Sequence, residues 1–313
     1  MSTEQIVTIT MNPTIDKSAM VDTIIPEAKL KCSQVKNEPG GGGINVSKAL
    51  NRLGMGSFAV FPAGGHNGNL LQDLLSNENI LFRALAVTPE TRENFIILET
   101  TTNNQFRFNI EATSLSEKDA DRLMDILKEL PVKPTLLVAS GSLPGGIPEN
   151  FYAGLAKWAA TIHAKFILDT SGAPLRLSVN ESVYLLKPNL SELARLSGKD
   201  KLSKEDAVTA AKQLISNGDI TMIVVSMGAE GAVLVTRENH DFVTAPKVKK
   251  LSTVGAGDSM VAGMVYMLSQ NASPAEMIRF GVACGTAATM NTGTELFHVA
   301  DVNKLYDQLK AIL

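Results

Sequence analysis

Residues 252–263 read STVGAGDSMVAG, a glycine-rich turn that runs directly into an apolar helical pattern. Gly255, Ala256 and Gly257 allow successive backbone N–H groups to point at one spot, and the dipole of the following helix adds partial positive charge there. Such a spot attracts an anion, above all a phosphoryl group, and Asp258 lies within reach of it. Asp258 is either a reactive carboxylate or an ordinary acidic residue at a helix N-terminus. The glycine cluster favours the first interpretation, because a simple helix start needs no such loop.

Short β-branched runs alternate with helical patterns along most of the chain. The predicted strands are 6–10, 58–61, 135–140, 165–169, 183–187 and 222–226, and the predicted helices between them are 44–53, 68–77, 117–129, 149–162 and 204–217. Ser203 and Ser273, each followed three residues later by an acid, mark helix starts. Continuous apolar strands separated by helices indicate an α/β fold with a mostly parallel sheet covered on both faces. Ligands of such sheets bind beyond the carboxyl ends of the strands.

One region breaks this alternation. Residues 93–112 predict a β-hairpin, because two runs of alternating polarity flank a polar turn. A lone hairpin is marginally stable, so we expect it to join the non-helical stretch 17–38 in a small sheet over the ligand edge. Its polar face, with Arg107, would look toward the ligand. Phe106 and Phe108 would point the other way, covered by a second copy of the protein or packed on the parent domain.

Composition excludes several classes of function. The 313 residues are 19% charged with a net charge of −3, and no basic face suits nucleic acid. Cys32 and Cys284 are the two cysteines and have no metal-binding spacing, which is typical of a reducing compartment. The first residues resemble no signal peptide and the longest apolar runs are too short for a membrane span. We therefore expect a cytoplasmic protein with a single domain over 1–313.

Residues 39–47 read PGGGGINVS, four glycines immediately before a helical pattern. Glycine permits positive φ and a close approach of backbone to a ligand, and Asn45 just inside the helix can bond a hydroxyl group. The alternative, a flexible linker, fits less well because the helical pattern resumes at once.

Two further groups of polar residues suggest contacts with phosphate and metal. Residues 187–192 read KPNLSE at a strand end, where Lys187 could neutralise nucleotide phosphate. Asn189 and Glu192 supply hard oxygens for Mg²⁺, through water. This stretch could equally be a strand end followed by an Asn-capped helix. Arg92 and Arg107 could converge on one phosphate, or lie solvated on the surface.

Other site types are absent from the sequence. No G-x-x-x-x-G-K-[ST] loop occurs, and the G-x-G-x-x-A pattern at 54–59 follows a helix instead of a strand. The four histidines have no metal-ligand spacing, and no G-x-S-x-G motif is present.

Over essentially its whole length the chain resembles ribokinase-like carbohydrate kinases of the PfkB type, and within them the minor 6-phosphofructokinase branch. The resemblance rests on ordered stretches that include TMNPTID, PEAKLK, GGGGINVSKALNRLG, ASGSLPGG, LDTSG, KPNLSEL, VVSMGAEGA and STVGAGDS. It implies a three-layer αβα ribokinase-like domain with a small β-sheet lid formed from about 17–38 and 91–112. It also implies ATP-dependent phosphorylation of fructose 6-phosphate to fructose 1,6-bisphosphate.

The resemblance assigns roles to residues by their place in these motifs. Asp258 would be the general base, and the amides of Gly255, Ala256, Gly257 and Asp258 would hold the transferring phosphoryl group. The residues implied for the sugar phosphate are Asp16, Lys29, Gly41, Gly42, Asn45, Arg92, Arg107 and Ser142. The residues implied for the nucleotide and its Mg²⁺ are Lys187, Asn189, Glu192, Ser226, Gly228, Gly231 and Thr253. A potassium-type site is implied at Ser252, Val254, Asn291 and Gly293.

Substrate choice rests on single positions. Ser191 and Glu295 depart from the pattern of the branch, which commonly has basic residues there, and they bear on nucleotide contacts and the cation site. Kinases of fructose 1-phosphate and tagatose 6-phosphate share the scaffold and commonly carry a lysine where this chain has Gly42, so Gly42 favours fructose 6-phosphate. A sensor of sugar phosphate or nucleotide without catalysis is the non-enzyme alternative. The partners expected are substrates and a second copy bound through the lid, with no nucleic acid or membrane.

Overall fold

The structure is a computed structural model that describes residues 5–111, 113–293 and 295–311. The ends of the predicted domain 1–313, and residue 112 at the end of the second predicted lid segment, lie outside the described residues. The single domain itself stays a prediction.

The strands of the described part are, in chain order, β1 (Ile6–Ile9), β2 (Thr14–Val21), β3 (Ser33–Gly40), β4 (Phe58–Ala63), β5 (Leu81–Ala86), β6 (Arg92–Glu99), β7 (Asn104–Asn109), β8 (Leu136–Ser140), β9 (Lys165–Asp169), β10 (Val183–Leu186), β11 (Ile220–Ser226), β12 (Ala232–Thr236) and β13 (His240–Val243). The helices are α1 (Gly42–Arg52), α2 (Gly65–Asn77), α3 (Glu117–Lys128), α4 (Phe151–Thr161), α5 (Gly172–Ser178), α6 (Leu190–Leu196), α7 (Lys204–Asn217), α8 (Ala256–Ser269), α9 (Pro274–Ala288) and α10 (Val299–Lys310).

Nine strands form the large sheet in the order β13-β12-β11-β10-β9-β8-β1-β4-β5. Neighbours from β11 to β5 pair in parallel, whereas β12 and β13 add antiparallel strands at one edge. All six predicted strands are present. Their apolar runs are buried on both faces, which is why they read as continuous hydrophobic stretches.

Helices cover both faces of this sheet. Val7 and Ile9 of β1 pack in the core that α3, α4 and α7 close, whereas Ile6 packs in the core beneath α1, α8, α9 and α10. Alternate residues of a strand point to opposite faces, so one strand contributes to both cores. The predicted α/β class with three αβα layers is confirmed.

Local signals at the helix starts are also confirmed. Ser203 Oγ accepts a hydrogen bond from the Asp206 amide, and Asp206 bonds back, so a capping box begins α7. Ser273 and Glu276 form the same reciprocal arrangement before α9, with Pro274 in the first turn.

A second, four-stranded sheet has the order β3-β2-β6-β7. The predicted hairpin is confirmed as antiparallel β6 and β7, while β2 and β6 pair in parallel. Along β7, Phe106 and Phe108 are 36% and 53% exposed, so the alternative in which they pack on the parent domain does not hold. Gln105 and Arg107 point the other way, toward the loop before α8. That this small sheet acts as a lid stays a prediction.

Among the helices of the described residues, none is long and apolar enough to cross a membrane.

Candidate active site

The carboxyl ends of neighbouring parallel strands bring polar groups to one edge of the large sheet. Ser140 ends β8, Asp169 ends β9, Lys187 follows β10 and Ser226 ends β11. These strands are adjacent in the order β8-β9-β10-β11, so the four residues form a row. Helix α8 starts beside this row, because Lys187 and Asp169 both lie near Gly257.

The N-terminus of α8 is built for a negatively charged group. Gly255 is the N-cap residue and has a φ of 71°, a left-handed conformation that favours glycine, and it has no side chain that could cap the first turn. Free N–H groups at a helix start and the dipole of the helix together attract an anion. The turn around Gly255, Ala256 and Gly257 therefore has the geometry of an anion site.

Asp258 lies in this first turn and is partly buried. Its Oδ2 accepts a hydrogen bond from Asn45 Nδ2 at 2.9 Å, and its Oδ1 accepts one from Ser140 Oγ at 3.2 Å. Burial, and then the negative charge of Asp169, raise the pKa of Asp258 from 3.8 to about 6. A carboxylate with this pKa is a stronger base than an ordinary aspartate and is still largely ionised at neutral pH.

A buried ion pair borders the anion site. Lys187 is 5% exposed, and its Nζ lies 3.0 Å from Asp169 Oδ1. Burial lowers the pKa of the Lys187 ammonium, but the Asp169 carboxylate raises it by more, so the pKa lies above its usual value. A Cβ added to Gly257 would lie 3.6 Å from Lys187 Nζ. The lysine charge thus stands next to the place where the amides converge.

The glycine run allows α1 to begin directly against two strand ends. Gly41 has a φ of 113°, and its carbonyl accepts the Asn45 amide at 2.8 Å to close the first turn of α1. A Cβ at Gly42 would lie 2.4 Å from Ser140 Oγ, so no larger residue fits there without displacement. This close approach is what places Asn45, on the first turn, against Asp258.

The small sheet carries a second polar cluster. Asp16 of β2 is buried, and its Oδ1 accepts a hydrogen bond from Asn94 Nδ2 at 2.9 Å. Arg92 Nη1 donates to Asn94 Oδ1 at 3.0 Å and to the carbonyl of Ile110 at 3.3 Å. Within the described residues, Arg92 Nε is buried and has no acceptor. Arg92 and Ser142 line one cleft.

Arg107 and Lys29 are placed differently from this cluster. Arg107 donates to Gln105 Oε1 from two nitrogens, at 3.0 and 2.8 Å, and to Thr253 Oγ1 at 3.2 Å. Arg107 therefore bridges the small sheet to the loop before α8, while Arg92 bonds Asn94 of the small sheet and the carbonyl of Ile110. Lys29 is exposed in the connection between β2 and β3.

The residues expected to line the nucleotide lie at the ends of β10 and β11. Asn189 Oδ1 accepts the Glu192 amide at 2.9 Å and Glu192 Oε2 accepts the Asn189 amide at 2.8 Å, which makes a capping box for α6. Asn189 also forms an isolated bridge to Ser226. Gly231 has a φ of 95°, and a Cβ there would lie 1.9 Å from the Val243 carbonyl. Gly228 begins the intervening 3-10 turn.

The four residues expected around a monovalent cation come from two loops that touch. Ser252 Oγ donates to the Gly293 carbonyl at 3.0 Å and accepts the Val254 amide at 3.2 Å. Asn291 Nδ2 donates to the Leu296 carbonyl at 2.8 Å, which holds the second loop.

Ser140, Asp169 and Asn94 belong to these clusters and were not assigned roles from the sequence. Asp169 could have been found, because it ends a predicted parallel strand, where ligand-binding groups gather. Ser140 ends another such strand. Asn94 gives no comparable local signal, since its importance lies in contacts with residues on other parts of the chain.

Comparisons with known proteins identify the family of this chain. The model of the pfkB family carbohydrate kinases matches residues 6–299. ATP-dependent 6-phosphofructokinase isozyme 2 of Escherichia coli strain K12 is 39% identical over 306 residues, which are 97% of this chain and 99% of that protein. The 1-phosphofructokinase of Bacillus subtilis is 32% identical over 294 residues, 93% of this chain and 95% of its own.

The fold is matched by solved structures as well. Phosphofructokinase-2 of Escherichia coli in complex with potassium has a TM-score of 0.93 at 38% identity and covers 98% of this chain and 99% of its own. Other crystal structures of that protein are a complex with fructose 6-phosphate and a tetrameric inhibited form. The predicted ribokinase-like fold with a second small sheet is confirmed. This chain belongs to the pfkB family of carbohydrate kinases.

Proposed function

We propose that this protein transfers the γ-phosphoryl group of ATP to fructose 6-phosphate, forming fructose 1,6-bisphosphate and ADP. The observation that carries the proposal is the position of Asp258 in the first turn of α8, beside uncapped amides and within hydrogen-bond distance of Asn45 and Ser140. A base and an anion site side by side are what a hydroxyl needs in order to attack a phosphoryl group.

In this mechanism Asp258 takes the proton of the sugar hydroxyl while the hydroxyl oxygen forms its bond to the γ-phosphorus. The bond from the γ-phosphorus to its bridging oxygen breaks, and ADP leaves. The amides of residues 255–258 stabilise the charge on the transferring group, because they are fixed before the reaction begins. Asn45 keeps the carboxylate aimed at the site, and Lys187 adds positive charge at its border.

The sugar phosphate would lie between the two sheets. Asp16 and Asn45, with backbone from Gly41 and the close approach at Gly42, would orient its hydroxyl groups. Arg92 and Ser142 would bind its phosphate, because both residues line one cleft and the guanidinium is positively charged. Lys29 would reach the substrate as the small sheet closes as a lid. Arg107 would bind at the same closure, since it already bridges the small sheet to the loop before α8.

ATP would lie along the ends of β10 and β11, with Lys187 near its phosphates and Ser226, Gly228, Gly231 and Thr253 along the nucleoside. Mg²⁺ would be held through water by Asn189 and Glu192 and would shield the phosphate charge when bound. In the described part of the chain no group of three or more His, Cys, Asp or Glu side chains is placed to hold a metal ion by itself.

A monovalent cation would bind where the loops of Ser252 and Gly293 touch, together with Val254 and Asn291. Oxygen donors on two adjoining loops suit an alkali ion, and the Escherichia coli relative has been crystallised with potassium. Glu295, one of the two positions at which the chain departs from the pattern of the branch, lies next to this loop. Its Oε1 lies 3.3 Å from His298 Nε2. Ser191, the other departure, is exposed in the first turn of α6.

The exposed Phe106 and Phe108 face of the small sheet would join two copies into a homodimer. Apolar side chains exposed side by side on one strand are typical of an interaction surface. A cytoplasmic location, expected from the sequence, stays a prediction.

A substrate panel tests the proposed function. Purified protein with MgATP is offered fructose 6-phosphate, fructose 1-phosphate, tagatose 6-phosphate and unphosphorylated fructose, and ADP release is measured. The highest kcat/KM is expected for fructose 6-phosphate. A preference for fructose 1-phosphate would favour the function of the Bacillus subtilis relative. If the protein binds a sugar phosphate but turns over none of the sugars, a sensor that has lost catalysis would be favoured. The presence of the base and the anion site argues against that alternative.

A further inference from the structure

Lys48 is a charged side chain that is almost completely buried. It is not among the residues to which a role was assigned above. It lies on α1, three residues after Asn45, and is 2% exposed. Its Nζ donates a hydrogen bond to the carbonyl oxygen of Pro39 at 3.0 Å. Lysine is among the residues least often buried, because removing an ammonium from water costs free energy that packing does not return. Methionine would fill the same space without a charge, so volume does not explain the lysine.

The position of the acceptor suggests a role. Pro39 is the residue before the glycine run, where β3 leaves the small sheet and the chain turns into α1. Gly40 pairs with Thr14 across β2 and packs so tightly on Asp16 that an added Cβ would lie 2.3 Å from Asp16 Oδ2. The bond from Lys48 therefore holds the chain at the point where it touches Asp16.

The charges around Lys48 lie on several elements. Glu38 of β3, Asp16 of β2 and Glu78 after α2 are the negative groups that act on it, and Arg52 on its own helix is the positive one. Burial lowers the pKa of the Lys48 ammonium, and the negative groups oppose that shift. In return, the ammonium is a positive charge near the Asp16 carboxylate.

We propose that Lys48 is a positioning residue for the sugar site, which holds the Pro39 carbonyl so that the glycine run stays packed on Asp16 and which supplies a positive charge to that carboxylate. This inference rests on the proposed function. Lys48 contacts no substrate in it and acts through Asp16 and the residues 39–41.

The charge of Lys48 lowers the pKa of Asp16. Burial raises the pKa of Asp16, the hydrogen bond from Asn94 lowers it, and Lys48 and then Arg92 lower it further, while Glu38 raises it. Loss of the Lys48 charge removes one of the groups that keep Asp16 ionised. Sugar binding to a Lys48 variant is therefore expected to weaken further as the pH is lowered.

The test uses Lys48→Met, Lys48→Arg and, as a matched control, Lys118→Met at an exposed lysine of α3. For Lys48→Met we expect the KM for fructose 6-phosphate to rise about tenfold, equivalent to about 1.4 kcal/mol, with the KM for ATP unchanged. The midpoint of thermal unfolding is expected to fall, because the methionine leaves the Pro39 carbonyl without its donor and the neighbouring carboxylates without a positive charge. Lys48→Arg restores the sugar KM, and Lys118→Met leaves it as in the parent protein.

Two results would overturn the proposal. One is an unchanged sugar KM in Lys48→Met, and the other is an equal loss of affinity for fructose 6-phosphate and for ATP, which marks a purely structural residue. Lys48→Gln keeps a hydrogen-bond donor without the charge and carries the same test if the methionine variant does not fold. Failure of the parent protein to phosphorylate fructose 6-phosphate refutes the proposed function instead, and the Lys48 variants are then compared on the sugar phosphate that the panel identifies.

Discussion

Asn45 Nδ2 donates a hydrogen bond to Asp258 Oδ2 at 2.9 Å, although the two residues are 213 positions apart in the chain. Asn45 lies in the first turn of α1 and Asp258 in the first turn of α8, so two helix starts meet at this bond. One start follows the glycine run and belongs to the sugar side, and the other carries the anion site. The bond therefore joins the two halves of the proposed reaction at the carboxylate that takes the proton.

Removal of the carboxylate should abolish most of the turnover. For Asp258→Ala we expect kcat to fall by at least ~10²-fold with little change in the affinity for either substrate, since a general base acts mainly in the transition state. Steady-state kinetics and equilibrium binding measure the two quantities. A variant that keeps the turnover of the parent protein would remove Asp258 from the mechanism.

The pH dependence of turnover should report the pKa of Asp258. Its base form is the active one, so kcat/KM, which reports groups of the free enzyme, is expected to rise with pH through about 6, the pKa raised by burial and by Asp169. The Ser140 hydroxyl lowers this pKa through its hydrogen bond, so Ser140→Ala should move the acid limb to higher pH.

The phosphate of the substrate also titrates near pH ~6, but it does so equally for both enzymes. Comparison of the two pH profiles therefore isolates the enzyme group. An acid limb at the same pH in Ser140→Ala and in the parent protein would mean that the profile belongs to the substrate.

The raised pKa of Asp258 also has a cost in stability. When the pKa of a carboxyl group is higher in the folded than in the unfolded state, the free energy of unfolding of the protein falls as the pH rises between the two values, here from 3.8 to about 6. At higher pH it stays at the lower value. Asp258→Asn should therefore unfold with a free energy higher by about 1–2 kcal/mol at neutral pH, a range reduced for the partial exposure of the side chain. The difference should vanish at pH values below the unfolded pKa.

Urea denaturation at both pH values measures this difference. Ser259→Ala, at the next residue of α8, is a control that changes no charge. A destabilised Asp258→Asn at neutral pH would show that the carboxylate holds the site together instead of straining it.

We predict that Arg92 binds the phosphate group of the sugar substrate. For Arg92→Ala we expect the KM for fructose 6-phosphate to rise by about 10- to 100-fold, the range for a charge-assisted hydrogen bond of 1.5–3 kcal/mol, while ATP binding stays intact. Turnover of unphosphorylated fructose, where measurable, should change little. An equal loss of ATP and sugar-phosphate binding would mean that Arg92 is structural.

Arg107→Ala gives a useful comparison in the same assay. Arg107 was expected to grip the phosphate together with Arg92, but it also donates to Thr253, a residue expected at the nucleotide. The double variant of Arg92 and Arg107 should still bind ATP. If the single Arg107→Ala weakens ATP binding more than sugar binding, its role lies on the nucleotide side.

Charges on the exposed face of the small sheet should prevent association of two copies. Phe106→Glu combined with Phe108→Glu is expected to sediment as a monomer where the parent protein sediments as a dimer, because two desolvated carboxylates oppose burial of that face. Phe242→Glu, another exposed aromatic residue outside the small sheet, is the control. An unchanged dimer in the double variant would place the interface elsewhere.

Local patterns in the sequence were sufficient for much of the fold. The buried runs of β1, β8, β9 and β11 and the capping boxes of α7 and α9 were predicted because each depends on residues close together in the chain. Helix α2 begins at Gly65, earlier than the predicted start at 68, because the apolar pattern begins only after its glycine-rich first turn. Strand β5 was not predicted; its leucine at position 81 is 68% exposed at the sheet edge.

The candidate site likewise contains residues that could be predicted from the sequence and contacts that could not. Asp258 and the glycines around it could be recognised from sequence, because an anion site at a helix start is made by consecutive residues. The contact of Ser140 with Asp258 joins residues 118 positions apart, and the burial of Lys48 depends on three surrounding elements. Neither leaves a trace in a local pattern.

By itself, then, the sequence determined the buried parallel strands, the capped helices and the place of an anion-binding turn with an acid, since periodicity, capping and glycine content act over a few residues. Only the tertiary structure decided that Asn45 and Ser140 hold Asp258, that Asp169 neutralises Lys187, and that the phenylalanines of β7 face outward. Those outcomes depend on the order of strands in the sheets and on burial, which are set by packing between segments distant in the chain.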